Sequence, residues 1–172
     1  ILNESKRVIK VSPGIVLVEA KQGVVCLNAG IDKSNVEGRD SYCLLPRDPN
    51  RSAKRIARCI QTLAGKRVRT IIADTYSRPF RVGQCEFAVG VSGLDPFVDY
   101  RGTRDLFGRV LKFKRVSIAD EIASAAELVM GQGDEGVPVA IIKGVGRAHG
   151  ASSGARSRLM IHRRKDLFQR SI

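Results

Sequence analysis

Two β-branched runs near the start of the chain, Gly14-Ile15-Val16-Leu17-Val18-Glu19 and Val24-Val25-Cys26-Leu27, are separated only by the turn Lys21-Gln22-Gly23. Strand neighbours this close are joined as a hairpin, so the sheet they begin is antiparallel. Further apolar stretches at Val68 to Ala73, Phe87 to Val91, Val110 to Val116 and Pro138-Val139-Ala140-Ile141-Ile142 read as later strands. Two segments carry helical spacing. In the first, Ser52 is the expected N-cap, Ile56, Cys59, Ile60 and Leu63 share a face, and Gly65 stops the helix. In the second, Ser117 to Met130, Ser117 and Asp120 match a capping box, Ala123, Ala125 and Ala126 supply helix propensity, and Gly131 ends it. Too few βαβ units are present for a Rossmann sheet, so the expected class is α+β, with mixed or antiparallel sheets and flanking helices.

The 172 residues suit one domain, and a 43% hydrophobic share is enough for a core. No apolar run approaches the roughly 18 residues of a membrane span. The chain opens Ile1-Leu2-Asn3-Glu4, with neither an initiator methionine nor a signal sequence, and is expected to be an internal piece of a longer protein. Cys26, Cys43, Cys59 and Cys85 form no Cys-x-x-Cys pair, and the only histidines are His149 and His162. Reduced thiols in a cytoplasmic protein are therefore expected, in preference to a zinc site or a disulfide framework.

The formal charge of +13 implies attraction to polyanions. It is uneven: from Lys143 onward Arg147, Arg156, Arg158, Arg163, Arg164, Lys165 and Arg170 face the single acid Asp166. A solvated, partly disordered basic tail over residues 145–172 is preferred over a nucleic-acid-binding module, because no aromatic platform is interleaved with the charges.

Three segments place polar groups beside the end of a strand or helix. Asn28 to Asn35 puts Asp32 and Asn35 near the permissive Gly30; alone it reads better as an Asx-turn and cap than as a ligand set. Asp74-Thr75-Tyr76-Ser77-Arg78-Pro79-Phe80-Arg81 reads equally as a strand-terminating turn or as a Mg²⁺ site, with a carboxylate and hydroxyl at a strand's C-terminal end and Arg78 and Arg81 as a phosphate or carboxylate fork. Gly131-Gln132-Gly133-Asp134-Glu135-Gly136 spells G-x-G-x-x-G, but a helix precedes it and a strand is expected after it, which excludes the dinucleotide fingerprint. A glycine turn whose amides can approach phosphate remains, beside the plainer reading as a helix C-cap and loop. The stretch from Asp99 to Arg109, with Arg101, could grip an anionic substrate or be a salt-bridged loop.

Taken in order, Cys26-Leu27-Asn28-Ala29-Gly30-Ile31-Asp32-Lys33-Ser34-Asn35-Val36, Leu44-Leu45-Pro46-Arg47-Asp48-Pro49, Ile72-Ala73-Asp74-Thr75-x-x-Arg78-Pro79, Val89-Gly90-Val91-Ser92-Gly93, Asp99-Tyr100-Arg101-Gly102 and Ala119-Asp120-Glu121-Ile122-Ala123 resemble successive blocks of the coenzyme F-420-0:L-glutamate ligases. The resemblance spans residues 1–144, which on this reading form an N-terminally truncated ligase core, expected to lack the family's N-terminal segment that also contacts GTP. Ser77 and Phe80 stand where the family usually has Gly and Trp.

The resemblance implies a gamma-glutamyl ligase-like α+β fold and a homodimer. It also implies a reaction in which GTP converts a carboxylate of F-420-0 to an acyl phosphate that the amine of L-glutamate attacks, yielding GDP and phosphate. Mg²⁺ or Mn²⁺ is the implied cofactor, with K⁺ as a candidate further ion. Carried over by motif, Asp32, Asp74, Thr75 and Gln132 are the implied metal ligands. Asn35 and the loop Met130, Gly131, Gln132, Gly133, Asp134, Glu135, Gly136 and Val137 are the implied GTP contacts. Arg78, Arg81 and Arg101 remain candidates for substrate or phosphate. No side-chain nucleophile is expected, since phosphoryl transfer depends on positioning and charge neutralisation. The alternatives are a non-enzymatic basic nucleic-acid-binding module and an inactive fragment of the ligase.

Overall fold

The computed structural model describes residues 1–145 and 159–166, and the chain divides into two compact units. The first comprises Ile1–Pro49 and Tyr76–Gln84 together with residues 159–166; the second comprises Asn50–Thr75 and residues 85–145. Most of the basic segment expected after residue 145 lies outside the described residues.

The first unit is built on β1 (Ser5–Ser12), β2 (Ile15–Ala20) and β3 (Val25–Leu27), an antiparallel sheet in the order β1-β2-β3. β1 is not among the expected strands, although its Ser-Lys-Arg-Val-Ile-Lys-Val-Ser pattern alternates. Its edge position leaves both faces partly exposed, so the apolar signal is diluted by charge. Ser12 pairs with Ile15, so Gly14 belongs to the turn and not to the strand, with φ of +76° following the fixed φ of Pro13. Val18, Ala20, Val24 and Cys26 form the buried core, with Leu45, Tyr76 and Met160 packed against part of it. The Tyr76 hydroxyl donates to the Val25 carbonyl, and burial raises its pKa above the ordinary phenol value. Gln22 Nε2 donates to the carbonyls of Leu45 (3.5 Å) and Pro46 (3.2 Å), tying the following loop to the β2–β3 turn.

The helix α1 (Pro49–Ala64), in the second unit from Asn50 onward, starts earlier than Ser52. Proline at the first helical position needs no N–H partner, so the helix begins there and Ser52 sits inside its first turn. Gly65, at φ +65°, closes the helix by donating to the Gln61 carbonyl at 3.0 Å. The strands β4 (Thr70–Ser77) and β5 (Gln84–Ser92) pair with each other. Their connection, residues 78–83, is too short for a parallel crossover. β4 runs further than expected, so Asp74 and Thr75 lie within the strand and not at its end. Of the expected strand Val110 to Val116 only the end survives: β7 (Arg115–Ser117) pairs with β6 (Phe97–Asp99). Residues 100–114 continue as an irregular hairpin, turned by Gly102 and Gly108 at φ of +83° and +80° and holding the single bridge Arg104–Val110.

The helix α2 (Ile118–Met130) ends at Gly131 as expected, but the capping box does not form. Ser117 makes no cap hydrogen bond, and the Asp120 carboxylate instead accepts the Ala88 N–H at 3.0 Å. One helical turn on, Ser124 Oγ donates to the Glu86 carbonyl at 2.9 Å. The N–H and C=O of strand residues two apart face one edge, so Asp120 and Ser124 together satisfy an edge of β5 that would otherwise lack partners. Residues 138–142 form no strand: among the described residues they have no ladder partner, and Val139 and Ile141 are exposed. An apolar run alone does not make a strand without a neighbour to bond.

Candidate functional site

The anchoring of α2 on β5 positions the chemistry. Gln132 follows the C-cap Gly131 directly, and α2 is fixed to the backbone of Glu86, so the end of the helix is delivered beside that residue. Thr75 Oγ1 lies 2.8 Å from Gln132 Oε1 and 2.9 Å from Glu86 Oε1, and Gln132 Nε2 donates to Glu86 Oε1 at 2.7 Å. Two of the four expected metal ligands, 57 positions apart in sequence, therefore meet in one cluster. Asp74, half-buried, precedes Thr75 on β4. Glu86 was missed by the sequence reading. Its only signal was an acid within a strand-forming run, a pattern far more often met at a solvated strand face.

Asp32 belongs to the first unit, in a loop held by paired backbone bonds with Cys43 (3.1 and 2.8 Å). Its Oδ1 accepts the Ser34 N–H at 2.8 Å and its Oδ2 the Ser34 hydroxyl at 2.7 Å, the Asx-turn anticipated for this segment. The bonds from Ser34, its hydroxyl first, hold the carboxyl below the usual range. Upstream, Asn28, Ala29 and Gly30 all have positive φ (50°, 60° and 65°). A side chain on Gly30 would meet Leu45 at 2.6 Å, so only glycine fits. The left-handed Ala29 costs on the order of 1 kcal/mol, a local strain the surrounding fold must hold. Asn35 is exposed, also left-handed at φ 52°.

In the glycine turn, Gly133 N–H donates to the Glu135 carboxylate at 2.8 Å. That carboxylate fills the place of a Cβ on Gly131, which would lie 2.2 Å from it. The turn thus already holds an anion, its own. Among the expected basic contacts, Arg78 is half-buried with Nε lacking a partner among the described residues, and Arg81 is exposed. Arg101 pairs with Asp99, its Nε 2.8 and 3.0 Å from the two carboxylate oxygens. That pairing depresses Asp99 to about 2.

Hydroxyl, amide and carboxylate oxygens are the donors that hard Mg²⁺ and Mn²⁺ prefer, so the Thr75–Glu86–Gln132 cluster fits such an ion. No group of three or more His, Cys, Asp or Glu converges among the described residues. Cys26, Cys43, Cys59 and Cys85 form no disulfide with one another.

These observations define an α+β chain with an oxygen-rich cluster at the junction of a hairpin and a helix end. The family model described as "F420-0:Gamma-glutamyl ligase" matches residues 1–144, and the chain belongs to that family. Its relatives include proteins named coenzyme F420:L-glutamate ligase. That of Methanothermobacter thermautotrophicus is 48% identical over 170 residues, 98% of this chain and 67% of the relative. That of Methanocaldococcus jannaschii is 46% identical over 154 residues, 90% of this chain and 61% of the relative. That of Archaeoglobus fulgidus is 42% identical over all 172 residues, 67% of the relative, so the similarity continues through the basic segment. The chain thus spans between three fifths and two thirds of these relatives.

Proposed function

We propose that this chain carries the metal- and phosphate-handling part of a GTP-dependent ligase that joins L-glutamate to coenzyme F-420-0 in the cytoplasm, as part of a homodimer. The carboxylate of F-420-0 takes the γ-phosphoryl group of GTP, releasing GDP. The glutamate amine attacks the resulting acyl phosphate, loses a proton and expels phosphate as the amide forms. The observation that carries this reading is the 2.8 Å approach of Thr75 to Gln132, which joins a mid-strand hydroxyl to a glycine turn.

A bound Mg²⁺ or Mn²⁺ supplies charge neutralisation for the triphosphate. Thr75 and Gln132 hold it, and Asp74 and Asp32 are the carboxylates assigned to the same task. The turn Gly131–Gly136 offers backbone N–H groups to phosphate, and Asn35 contacts the nucleotide. Arg78 and Arg81 orient phosphate or carboxylate. None of these residues bonds covalently to the substrate; they position it, which is what loose phosphoryl transfer requires. Titration of GTP into the chain with Mn²⁺ tests the reading: binding is expected to depend on the ion and to be lost in Asp74→Ala. A chain extended upstream that consumes no GTP when given F-420-0 and glutamate overturns it.

A groove of about 490 Å³ in the second unit favours a second reading, since Lys54, Arg58, Arg67 and Arg69 line it with no acid among them. Charge-driven nucleic-acid binding predicts filter retention of any polyanion, falling steeply with salt. Retention that is weak, or that resists salt, removes that reading.

A further inference from the structure

The ligand set read from the sequence omits the only carboxylate in the oxygen cluster. A threonine hydroxyl has one hydrogen to give. Given to Gln132 Oε1, it leaves Thr75 Oγ1 facing Glu86 Oε1 lone pair to lone pair at 2.9 Å; given to Glu86, it leaves the same clash with Gln132 at 2.8 Å. Turning the Gln132 amide over is worse, because its oxygen then meets Glu86 Oε1 at 2.7 Å. Three oxygens share one hydrogen too few. No lysine or arginine among the described residues pairs with Glu86, in a chain of net charge +13. The cluster lacks positive charge, and it is built from the donors a hard cation takes.

We propose that Glu86 is a direct ligand of the divalent cation, the anionic member of a seat completed by Thr75 and Gln132. The kind of ion rests on the ligase reading; the seat rests on the geometry. Thr75 and Gln132 are neutral, so within this cluster Glu86 alone supplies the charge that draws the ion in. Its placement is fixed through the backbone, because the Glu86 carbonyl is bonded to Ser124 of α2.

Mn²⁺ alone, titrated into the full chain with the free ion counted by electron paramagnetic resonance, tests the proposal. Glu86→Gln keeps the shape and an acceptor for the hydroxyl but removes the charge, and is expected to bind Mn²⁺ at least about tenfold more weakly. Binding within twofold of wild type overturns the role of Glu86. Should that variant not fold, Glu86→Asp retains the charge and withdraws it by one methylene; it is expected to bind more weakly than wild type, and equal binding overturns the proposal. A wild-type chain that takes up no Mn²⁺ sinks the seat and the ligase reading together. Uptake by wild type and Glu86→Gln alike sinks only the role of Glu86.

Discussion

The Asp99–Arg101 pair and the Thr75–Glu86–Gln132 cluster both lie in the second unit and both place a carboxylate against polar neighbours, yet they end in opposite states. Asp99 meets a guanidinium whose donors match its two oxygens, so charge and hydrogens balance. Glu86 meets an amide and a shared hydroxyl, so charge and hydrogens are both short. The chain has 30 lysines and arginines, and the shortage at Glu86 is one of placement, not supply. A balanced pair is finished structure. An unbalanced one leaves a place for a cation, which is the seat proposed for it.

Supplying the missing charge covalently breaks the contrast most completely. In Gln132→Lys an ammonium replaces the amide beside Glu86 and Thr75, giving the cluster its own cation. Mn²⁺ affinity is expected to fall by about a hundredfold or more as the carboxylate gains a fixed partner, while melting without metal is unchanged or higher. Retained Mn²⁺ uptake, followed by electron paramagnetic resonance, would mean that the cluster is not where the ion goes.

Gly131→Ala asks how far the cluster depends on its turn. At φ +71° a Cβ is strained, and it lands 2.2 Å from the Glu135 carboxylate, which must move. A loss of about 1–2 kcal/mol is expected in urea unfolding. Unchanged stability would show that the turn adapts, and that the placement of Gln132 owes little to the glycine.

The difference between the two constellations also explains what could be read in advance. Hairpin spacing gave away β2 and β3, and the glycines after α1 and α2 marked their ends, because these signals are local. Thr75 was legible as one of two equal readings of its own segment and Gln132 through the family motifs; that they touch depends on the side chains of Asp120 and Ser124, within α2, bonding to the edge of β5. The spacing of Asp120 from Ser117 fits a cap, and nothing in that spacing tells a cap from a side chain that bonds a strand edge. Glu86 was hidden for the same reason: its importance comes from partners 11 and 46 positions away. Residues 138–142 mislead in the opposite sense, since their apolar pattern is local but the strand partner it needs is not.

Arg101→Gln sharpens the contrast from the balanced side. Asp99 sits at about 2, lowered from 3.8 mainly by the hydrogen bond from Arg101. A depressed carboxylate contributes stability that is present above its unfolded pKa near 3.8 and is lost as pH falls through about 2. In the variant the Asp99 carboxyl resonance is expected to titrate back toward 3.8, with that acid dependence removed and Mn²⁺ affinity unchanged within twofold. A change in metal binding would show that the two constellations communicate.

The smallest effect is expected at Glu135, which stands between the two cases. It is a carboxylate satisfied by a backbone N–H, in a turn assigned to receive phosphate. Any phosphate that uses the Gly133 amide must first displace it, and must approach an anion of its own sign. Removing the carboxylate in Glu135→Ala is expected to strengthen Mn²⁺–GDP binding only about threefold by calorimetry, because the side chain is exposed and solvent screens the repulsion. Weaker binding would give the opposite sign, placing Glu135 among the groups that hold the ion and leaving the turn with no internal anion to expel.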